Sequence, residues 1–446
     1  MKHMLVLLLS SMLLPTFVFS LTLNKSVKVV ISSHPKFKES VENFNSIKKE
    51  YKISKNGYLP TLDLVGSYGP VRVKSPATNQ HRISSTQEET SLILTENLFN
   101  GFATDNMVYQ QKSRLDAAGY KVQETADRLI LSLTKSYIEL LKQKKLIALS
   151  KENVKTHETI FKMIKQRSDS GFGRLSDARQ ADSRLALAIA NDVSQENDYD
   201  DAFSDFRIIY GKNLSANNLK EPKNDLHIPN SLLKVQAKSF DCNPSLRVQE
   251  ANIRYADARH KGSEAAFYPK VDFELAGSIG HDLAGIDGRQ ENSSALIKVK
   301  YNLYNQGADK LNQEKLAATI LKEKAIRDNA KRDLEKSVKF SWHNYYLTKK
   351  RIVFLKKHQK YAKETLEAYQ KEFSIGKRDL INVLDAEGEY YSARKALIEA
   401  EAAHEYSKYR LLDNMGVLTD YFKPDFAKTY RIQTCSYKNI ISFKLR

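Results

Sequence analysis

The chain has 446 residues, a formal net charge of +18 and a mean hydropathy of -0.51. No run of about eighteen apolar residues follows residue 20, which excludes transmembrane helices, whereas a β-barrel stays open because its alternating strands give a weak hydropathy signal. The basic residues are interspersed with Glu along helical segments, so we interpret them as a solvated face and expect no nucleic-acid partner. An attraction for anionic lipid or acidic cargo stays open.

Residues 1–20 are predicted to be a cleaved secretory signal. A basic start precedes an apolar run from Met4 to Val18, and the small Ser20 closes the segment. The alternative is a membrane anchor, but the run is shorter than the ~20 residues that a spanning helix needs. We therefore expect the mature chain to be exported from the cytoplasm.

No pattern in the sequence predicts an enzyme, a cofactor or a metal site. With only Cys242 and Cys435 present, a disulfide framework is not expected, and no Cys/His spacing fits a zinc site. His343 and His404 lie in helical stretches and are predicted to be surface residues rather than ligands. No glycine-rich phosphate loop or nucleophile elbow occurs.

The chain is predicted to be an internal duplication. Pro35, Pro60 and Asp63 recur 209 residues later as Pro244, Pro269 and Asp272, and Leu98, Asn100, Gly171, Ala181 and Gly211 recur 205 residues later as Leu303, Asn305, Gly376, Ala386 and Gly416. The register changes between the two sets, where a surface loop would tolerate an insertion. We predict a first repeat at 21–211, a linker at 212–243, a second repeat at 244–418, and a tail at 419–446 without an assignment.

Two very long helices are predicted, at 102–167 and 308–375. Neither contains proline, and Gly119 is their only glycine. Because proline and glycine break helices, each segment can remain helical over ~100 Å at ~1.5 Å per residue. Apolar residues recur at every seventh position, as at Leu133, Leu140 and Ile147. This spacing predicts coiled-coil packing against equally long partner helices.

Two candidate strands precede each long helix, at about 58–68 and 90–100 in the first repeat and at about 268–280 and 294–304 in the second. Each is about ten residues long, which suffices to cross a bilayer as a tilted strand. A soluble hairpin packed on the helices would look the same in sequence. Because two hairpins cannot close a barrel alone, these strands either combine with copies from other subunits or stay outside a membrane.

Alternation within the candidate strands predicts one apolar and one polar face. It is clearest in the second repeat, where Phe273 and Leu275 alternate with Asp272 and Glu274. In the first repeat, the residues predicted to face outward are Leu62, Leu64 and Tyr68. Those predicted to face inward are Asp63 and Ser67.

The order of signal, short helix, strand, loop, strand, long helix, glycine break and helix, then repeated, resembles the plan of TolC-type outer-membrane proteins. Three stretches carry the resemblance, which covers residues 21–418: Gly57-Tyr58-Leu59-Pro60, Leu98-Phe99-Asn100-Gly101, and Gly376 through Val383-Leu384-Asp385-Ala386. It implies an α+β fold in which a homotrimer shares one membrane β-barrel, with four strands from each subunit, joined to a long antiparallel α-helical coiled-coil barrel. It also implies an outer-membrane location, with the helices extending into the periplasm toward a periplasmic adaptor (a membrane fusion protein) and an inner-membrane ABC transporter or other pump.

The resemblance further implies a periplasmic gate, held by polar side chains near the turns that follow the long helices. The matching residues here are Gln166, Asp177, Arg378, Asn382 and Asp385, with the helix-break glycines Gly171 and Gly376 near the adaptor docking site. Asp177 and Asp379 have an alternative role, because an acidic residue is favourable in the first turn of any helix. Asn382 stands where the family often has Asp, so the entrance is expected to be less acidic and less easily blocked by multivalent cations.

A passive duct for type I secretion of a protein, such as an adhesin or toxin, is the function that the resemblance favours. The stretches Leu98 to Thr104 and Gly171 to Asp177, with Gln180-Ala181, resemble the type I secretion branch more than the efflux branch. One alternative is the outer-membrane component of small-molecule or multidrug efflux. An alternative of another class is a periplasmic structural coiled-coil protein without membrane insertion.

Overall fold

The computed structural model of the protein describes residues 21–74, 76–212, 219–222, 226–423, 426–430, 432 and 435–437. The predicted signal at 1–20, and parts of the predicted linker and tail, lie outside the described residues. Within the described ranges, no helix is both long enough and apolar enough to cross a membrane.

Helices and strands follow one another in the same order in the two halves of the chain. The helices are α1 Leu23–Ser33, α2 Pro35–Lys55, α3 Ala103–Asp169, α4 Leu175–Tyr210, α5 Leu232–Cys242, α6 Pro244–Ser263, α7 Ala308–Ser374, α8 Leu380–Asn414, α9 Leu418–Phe422 and α10 Phe426–Tyr430. The strands are β1 Thr61–Val73, β2 Ile83–Phe99, β3 Lys270–His281 and β4 Arg289–Lys300.

The chain divides into two compact units. The helical unit comprises the described residues of 1–34, 128–229 and 340–412, and the sheet unit comprises those of 35–127, 230–339 and 413–446. The long helices α3 and α7 each contribute residues to both units.

The sheet unit contains one antiparallel sheet in the order β1-β2-β3-β4, so the hairpins of the two repeats pair through β2 and β3. Its register aligns Leu62 of β1 with Leu94 of β2, and Leu94 with Leu275 of β3. The intervening row pairs Asp272 of β3 with Lys298 of β4. Because side chains alternate along each strand, the register gathers the apolar residues on one face and the polar residues on the other.

Hydrogen bonds between side chains tie the polar face together. Lys298 Nζ donates to Glu274 at 2.6 Å, and Asn97 Nδ2 donates to the Asp272 carboxylate at 2.8 Å. The opposite face leaves large apolar side chains exposed, with Leu64 74% and Ile297 67% accessible. A sheet with one polar and one exposed apolar face needs an apolar environment next to the apolar face, provided from outside this chain.

The observed strands β1 and β2 extend further toward their shared turn than the sequence alternation indicates. β1 continues through Pro70, which a strand at the edge of the sheet within one chain tolerates better than an inner strand. β2 begins at Ile83 because its polar first half forms backbone hydrogen bonds with β1. That half has no alternation of apolar residues, so the sequence pattern does not predict it as a strand.

The helical unit is built on the apolar seam of α3. Leu133, Tyr137 and Leu140 are fully buried along it, at the spacing of three and four residues that keeps side chains on one helix face. The Tyr137 hydroxyl lies 3.0 Å from the carbonyl oxygen of Leu21 and 2.5 Å from that of Lys220. One buried tyrosine therefore holds the segments before α1 and after α4 against α3.

Two sequence expectations about single residues are wrong. Cys242 and Cys435 form a disulfide, with a Cα–Cα distance of 5.6 Å, where no disulfide framework was expected. The pair was missed because 193 residues separate the two cysteines, and only the tertiary fold brings them together. His404 is half-buried rather than a surface residue, since its ring stacks on Tyr345 at 5.0 Å, whereas His343 is exposed as expected.

Candidate functional site

Two tight turns in the helical unit end the long helices, and both have the same hydrogen bonds. The amide of Phe172 donates to the carbonyl of Arg167 at 3.0 Å, and 205 residues later the amide of Lys377 donates to the carbonyl of Glu372 at 2.9 Å. Gly171 and Gly376 occupy the left-handed position of these turns, at φ 76° and 77°. This bonding pattern is the Schellman motif that ends helices, and glycine takes its left-handed residue without strain.

A small apolar cluster fixes the helix ends on either side of the turns. Its buried members are Ile160, Ile164, Ala178, Ala181, Leu380 and Leu384, with Phe161 and Phe373 packed against them. The two alanines let α4 approach α3 and α8 closely, because they add little side-chain bulk at the contact. Beside the cluster lies an apolar groove of about 400 Å³, which Ile160, Met163, Phe373 and Val383 line in part.

Asp385 is joined to the neighbouring helix by an ion pair. Its Oδ1 lies 3.0 Å from Nη2 of Arg184, which links the first turns of α8 to α4. Both side chains remain well exposed, so a single pair of this kind is worth about 0.2–1 kcal/mol. Sequence reasoning missed Arg184, because nothing local signals which cation of α4 faces Asp385.

Arg378 is held by its own turn rather than by Asp385. Its guanidinium lies 2.7 Å from the carboxylate of Glu372, and it stacks over the ring of Tyr369 at 4.0 Å. The hydrogen bond that Arg378 donates to Glu372 raises the pKa of Arg378 above its ordinary value. Glu372, six residues before Arg378, was also missed by sequence reasoning.

The remaining predicted gate residues flank the same turns. Gln166 is exposed in the last turn of α3, and its carbonyl accepts the Ser170 amide at 3.1 Å. Asp177 lies in the first turn of α4, and Asn382 lies at the equivalent place in α8. The fold thus brings the five residues to the ends of neighbouring helices, where Asp385 forms an ion pair with α4 and Arg378 forms one with Glu372 at the end of α7.

Further along the same helices, charged groups are buried or tightly paired. Arg394 of α8 makes a bidentate bond to Glu152 of α3, with both distances 2.8 Å. The hydrogen bonds from Arg394 lower the pKa of Glu152. Glu387 of α8 is buried near this pair, and burial raises its pKa. His157 is 7% exposed, and burial together with the nearby Arg184 lowers its pKa.

Within the part of the chain that the structure describes, no group of three or more His, Cys, Asp or Glu side chains is arranged to hold a metal ion. Ion pairs and apolar packing are what the described residues provide at these helix ends.

The fold defines the class of protein. A crystal structure of the outer membrane protein VceC from Vibrio cholerae superimposes with a TM-score of 0.77, covering 88% of this chain and 96% of that chain at 13% identity. At this identity the likeness concerns the fold alone. It confirms the predicted α+β channel fold, with a four-stranded antiparallel sheet and long helices.

The family follows from sequence comparison. The model of the family described as "Outer membrane efflux protein" matches residues 27–212 and 238–417. The chain belongs to this family. Escherichia coli outer membrane protein TolC is 22% identical over 410 residues, covering 87% of this chain and 80% of TolC. The proteases secretion protein PrtF of Dickeya chrysanthemi is 23% identical over 368 residues, covering 79% of each. The TolC-type resemblance is thereby confirmed: the protein is an outer-membrane efflux channel and not an enzyme.

Proposed function

We propose that three copies of this protein form the outer-membrane duct of a type I secretion system. The duct passes an unfolded protein across the periplasm and the outer membrane, and energy comes from an inner-membrane ABC transporter joined to it by a periplasmic adaptor. The observation that supports a protein cargo is the similarity to PrtF, which covers 79% of both chains. The name of PrtF assigns it to protease secretion.

The sheet supports a barrel that is shared between copies. Its order leaves one side of β1 and one side of β4 without a strand partner among the described residues. Exposed strand edges are not tolerated in lipid, because each unpaired backbone group there costs several kcal/mol. Pairing β1 of one copy with β4 of the next would satisfy both edges, turn the apolar face to lipid and turn the Asp272 and Lys298 face to a water-filled lumen.

The helix ends support a gate and a docking surface. In a trimer, the ion pair between Asp385 and Arg184 occurs three times around the entrance. The groove beside Ile160 and Phe373 offers an apolar surface next to the glycine turns, where the adaptor would bind. Adaptor binding would shift the equilibrium toward a state in which these weak pairs separate together.

Deleting the protein tests the cargo. The culture supernatants of the deletion strain and its parent are compared by quantitative mass spectrometry. Loss of one or a few large proteins from the medium is expected, and complementation with the wild-type chain restores them. An unchanged supernatant, with greater drug susceptibility of the deletion strain, would instead favour small-molecule efflux, which the family description also supports.

The gate is tested by conductance in planar lipid bilayers. Asp385→Asn and Arg184→Gln each remove the ion pair and are expected to raise the conductance of the purified channel. The double reversal Arg184→Asp with Asp385→Arg restores the attraction and is expected to return the conductance toward that of the wild type.

A matched control breaks a stronger pair elsewhere. Arg394→Gln removes the bidentate bond to Glu152, about 20 Å along α8 from its first turn, and should leave the conductance unchanged. An Asp385→Asn channel with wild-type conductance would contradict the gate role.

A further inference from the structure

The tail that follows the second repeat packs into the sheet unit. Phe426 and Tyr430 of α10 lie against Phe37 of α2, with ring centroids 6.1 and 6.5 Å apart. Tyr430 also meets Phe44 edge-on at 5.5 Å. Phe37, Phe44 and Phe426 are all buried. The apolar face of α2 is therefore covered by the tail.

Gly119 makes room for the tail on α3. A Cβ atom at this position would lie 2.6 Å from the Ile432 side chain and 3.3 Å from the Tyr430 carbonyl oxygen. Glycine in the middle of a helix costs roughly 0.5–1 kcal/mol relative to alanine. The only glycine in α3 is thus explained by direct contact with the tail, which needs the missing side chain.

The start of the tail is anchored by hydrogen bonds. The backbone amide and the hydroxyl of Thr419, at the start of α9, donate to the buried carboxylate of Asp127 on α3 at 2.8 and 2.5 Å. Further on, the amide of Tyr437 donates to Asp420 at 2.7 Å, and its ring lies 5.0 Å from that of Tyr421. These contacts fold the described residues of 418–437 back on themselves.

One covalent bond fastens this folded segment to the end of α5, just before the second repeat. Cys435 is joined to Cys242, the last residue of α5. The same end of α5 is held by a backbone contact so close that a Cβ at Gly416 would lie on the Cys242 carbonyl, and Asn243 Nδ2 donates to the Asn414 carbonyl at 3.1 Å. The disulfide therefore joins the tail to a closely packed contact between the ends of α5 and α8.

We propose that residues 418–437 are a strap whose closure requires oxidation after export, so that this channel is a substrate of a periplasmic thiol oxidase carrying a reactive disulfide. The strap covers α2, the helix that precedes β1 in the chain. It would thereby hold the chain in place where it enters the sheet. The cytosol keeps thiols reduced, whereas disulfides persist in the bacterial periplasm. Closure also cannot precede translocation of α6 to α10, because these elements lie between the two cysteines in the chain.

The reaction is a thiol–disulfide exchange. The thiolate of one cysteine attacks the oxidase disulfide, which gives a mixed disulfide and releases one oxidase thiolate. The thiolate of the second cysteine then attacks the mixed disulfide, which closes Cys242–Cys435 and releases the second oxidase thiolate. Two protons leave the channel thiols, and the two electrons reduce the oxidase disulfide to a dithiol.

The first test measures protection of the strap in the purified full-length channel. Trypsin cleavage between Lys428 and Thr429, within the strap, is followed by mass spectrometry with and without prior reduction. Reduction is expected to speed this cleavage about tenfold, because a strap held only by non-covalent contacts opens more often. The Cys242→Ser/Cys435→Ser variant is expected to match the reduced wild type and to be insensitive to the reductant. Equal cleavage rates before and after reduction would overturn the fastening role, and this comparison needs only wild-type protein if the variant does not accumulate.

The second test identifies the oxidant. Wild-type channel is made in a strain with the periplasmic thiol oxidase and in one without it, denatured under acid, and labelled with a maleimide of high mass. Two labels on each chain are expected without the oxidase and none with it. Absence of labels in both strains would overturn dependence on the oxidase, whereas two labels in both would overturn closure of the bond in the cell.

Discussion

His157 is a buried residue of the helical unit whose titration bears on stability near neutral pH; burial also lowers the pKa of His404, which the variants below leave unchanged. It lies on α3 with 7% of its surface exposed, and its Nδ1 has no hydrogen-bond partner among the described residues. Arg184, which faces it from α4, is the same cation that pairs with Asp385 of α8. A protonated His157 would therefore place its positive charge beside the positive charge of Arg184. The carboxylate that pairs with Arg184 is that of Asp385.

Acidification should destabilise the helical unit through His157. Because burial and Arg184 lower its pKa in the folded protein, only the unfolded chain takes up a proton near its ordinary pKa of 6.5. The stability that the neutral imidazole contributes is present above pH 6.5 and is lost as the pH falls below it. We expect the melting temperature of wild type to fall more between pH 7.5 and 5.5 than that of His157→Gln, as measured by circular dichroism in detergent.

The comparison of variants isolates this effect. Glu387 acts in the opposite direction, because its raised pKa stabilises the folded state at low pH, but it is common to both proteins. The matched control is His343→Gln on the exposed side of α7, which should behave as wild type. Parallel pH dependence in wild type and His157→Gln would contradict the prediction.

At the scale of elements, the two helix-ending turns carry the clearest trace of the duplication. Gly171 and Gly376 have nearly identical φ angles and equivalent hydrogen bonds, although the residues that follow differ. Gly173 packs against the backbone of Ser168, where a Cβ would lie at 2.9 Å, whereas its counterpart Arg378 turns outward to Glu372. The repeats thus share a backbone frame and differ in the charged groups that they present.

Replacing glycine by alanine should have opposite effects on stability at two positions, because Gly171 has a positive φ and Gly388 lies within a helix. Gly171→Ala should cost about 1–2 kcal/mol, because an alanine side chain is strained at positive φ even though space is open around it. Gly388→Ala, within α8 and with open space around it, should instead stabilise by roughly 0.5–1 kcal/mol. Chemical denaturation in detergent measures both, and a neutral Gly171→Ala would argue against the strained turn.

At the scale of the whole molecule, the channel is strongly basic, with a net charge of +18 per chain. A trimer would place three copies of Asp385 at the entrance, and each is already paired with Arg184. Asn382, one helical turn earlier, adds no charge. We therefore expect the entrance to be a weak site for multivalent cations.

Cation block tests this expectation on single channels. A trivalent cation should inhibit the wild-type current weakly, and Asn382→Asp should strengthen the inhibition, because it adds three carboxylates close to the Asp385 copies. Asp385→Ala in the Asn382→Asp background is the control and should weaken the inhibition again. Strong block of the wild type that persists in Asp385→Ala would contradict the proposal.

The sequence by itself determined the fold class, the duplication and the family. The spacing of proline, glycine and heptad positions is local, so it specifies long helices and alternating strands without knowledge of their partners. It also located the helix ends, since Gly171 and Gly376 are read directly from the repeat.

Only the tertiary structure decided which groups meet. Arg184 with Asp385 and the Cys242–Cys435 bond each depend on how helices are rotated and packed, which the chain order does not encode locally. The tail had no assignment from sequence because its partners, Phe37 and Gly119, lie some three hundred residues or more earlier in the chain. Contacts between such distant segments are fixed by the folded core and not by the pattern of either segment.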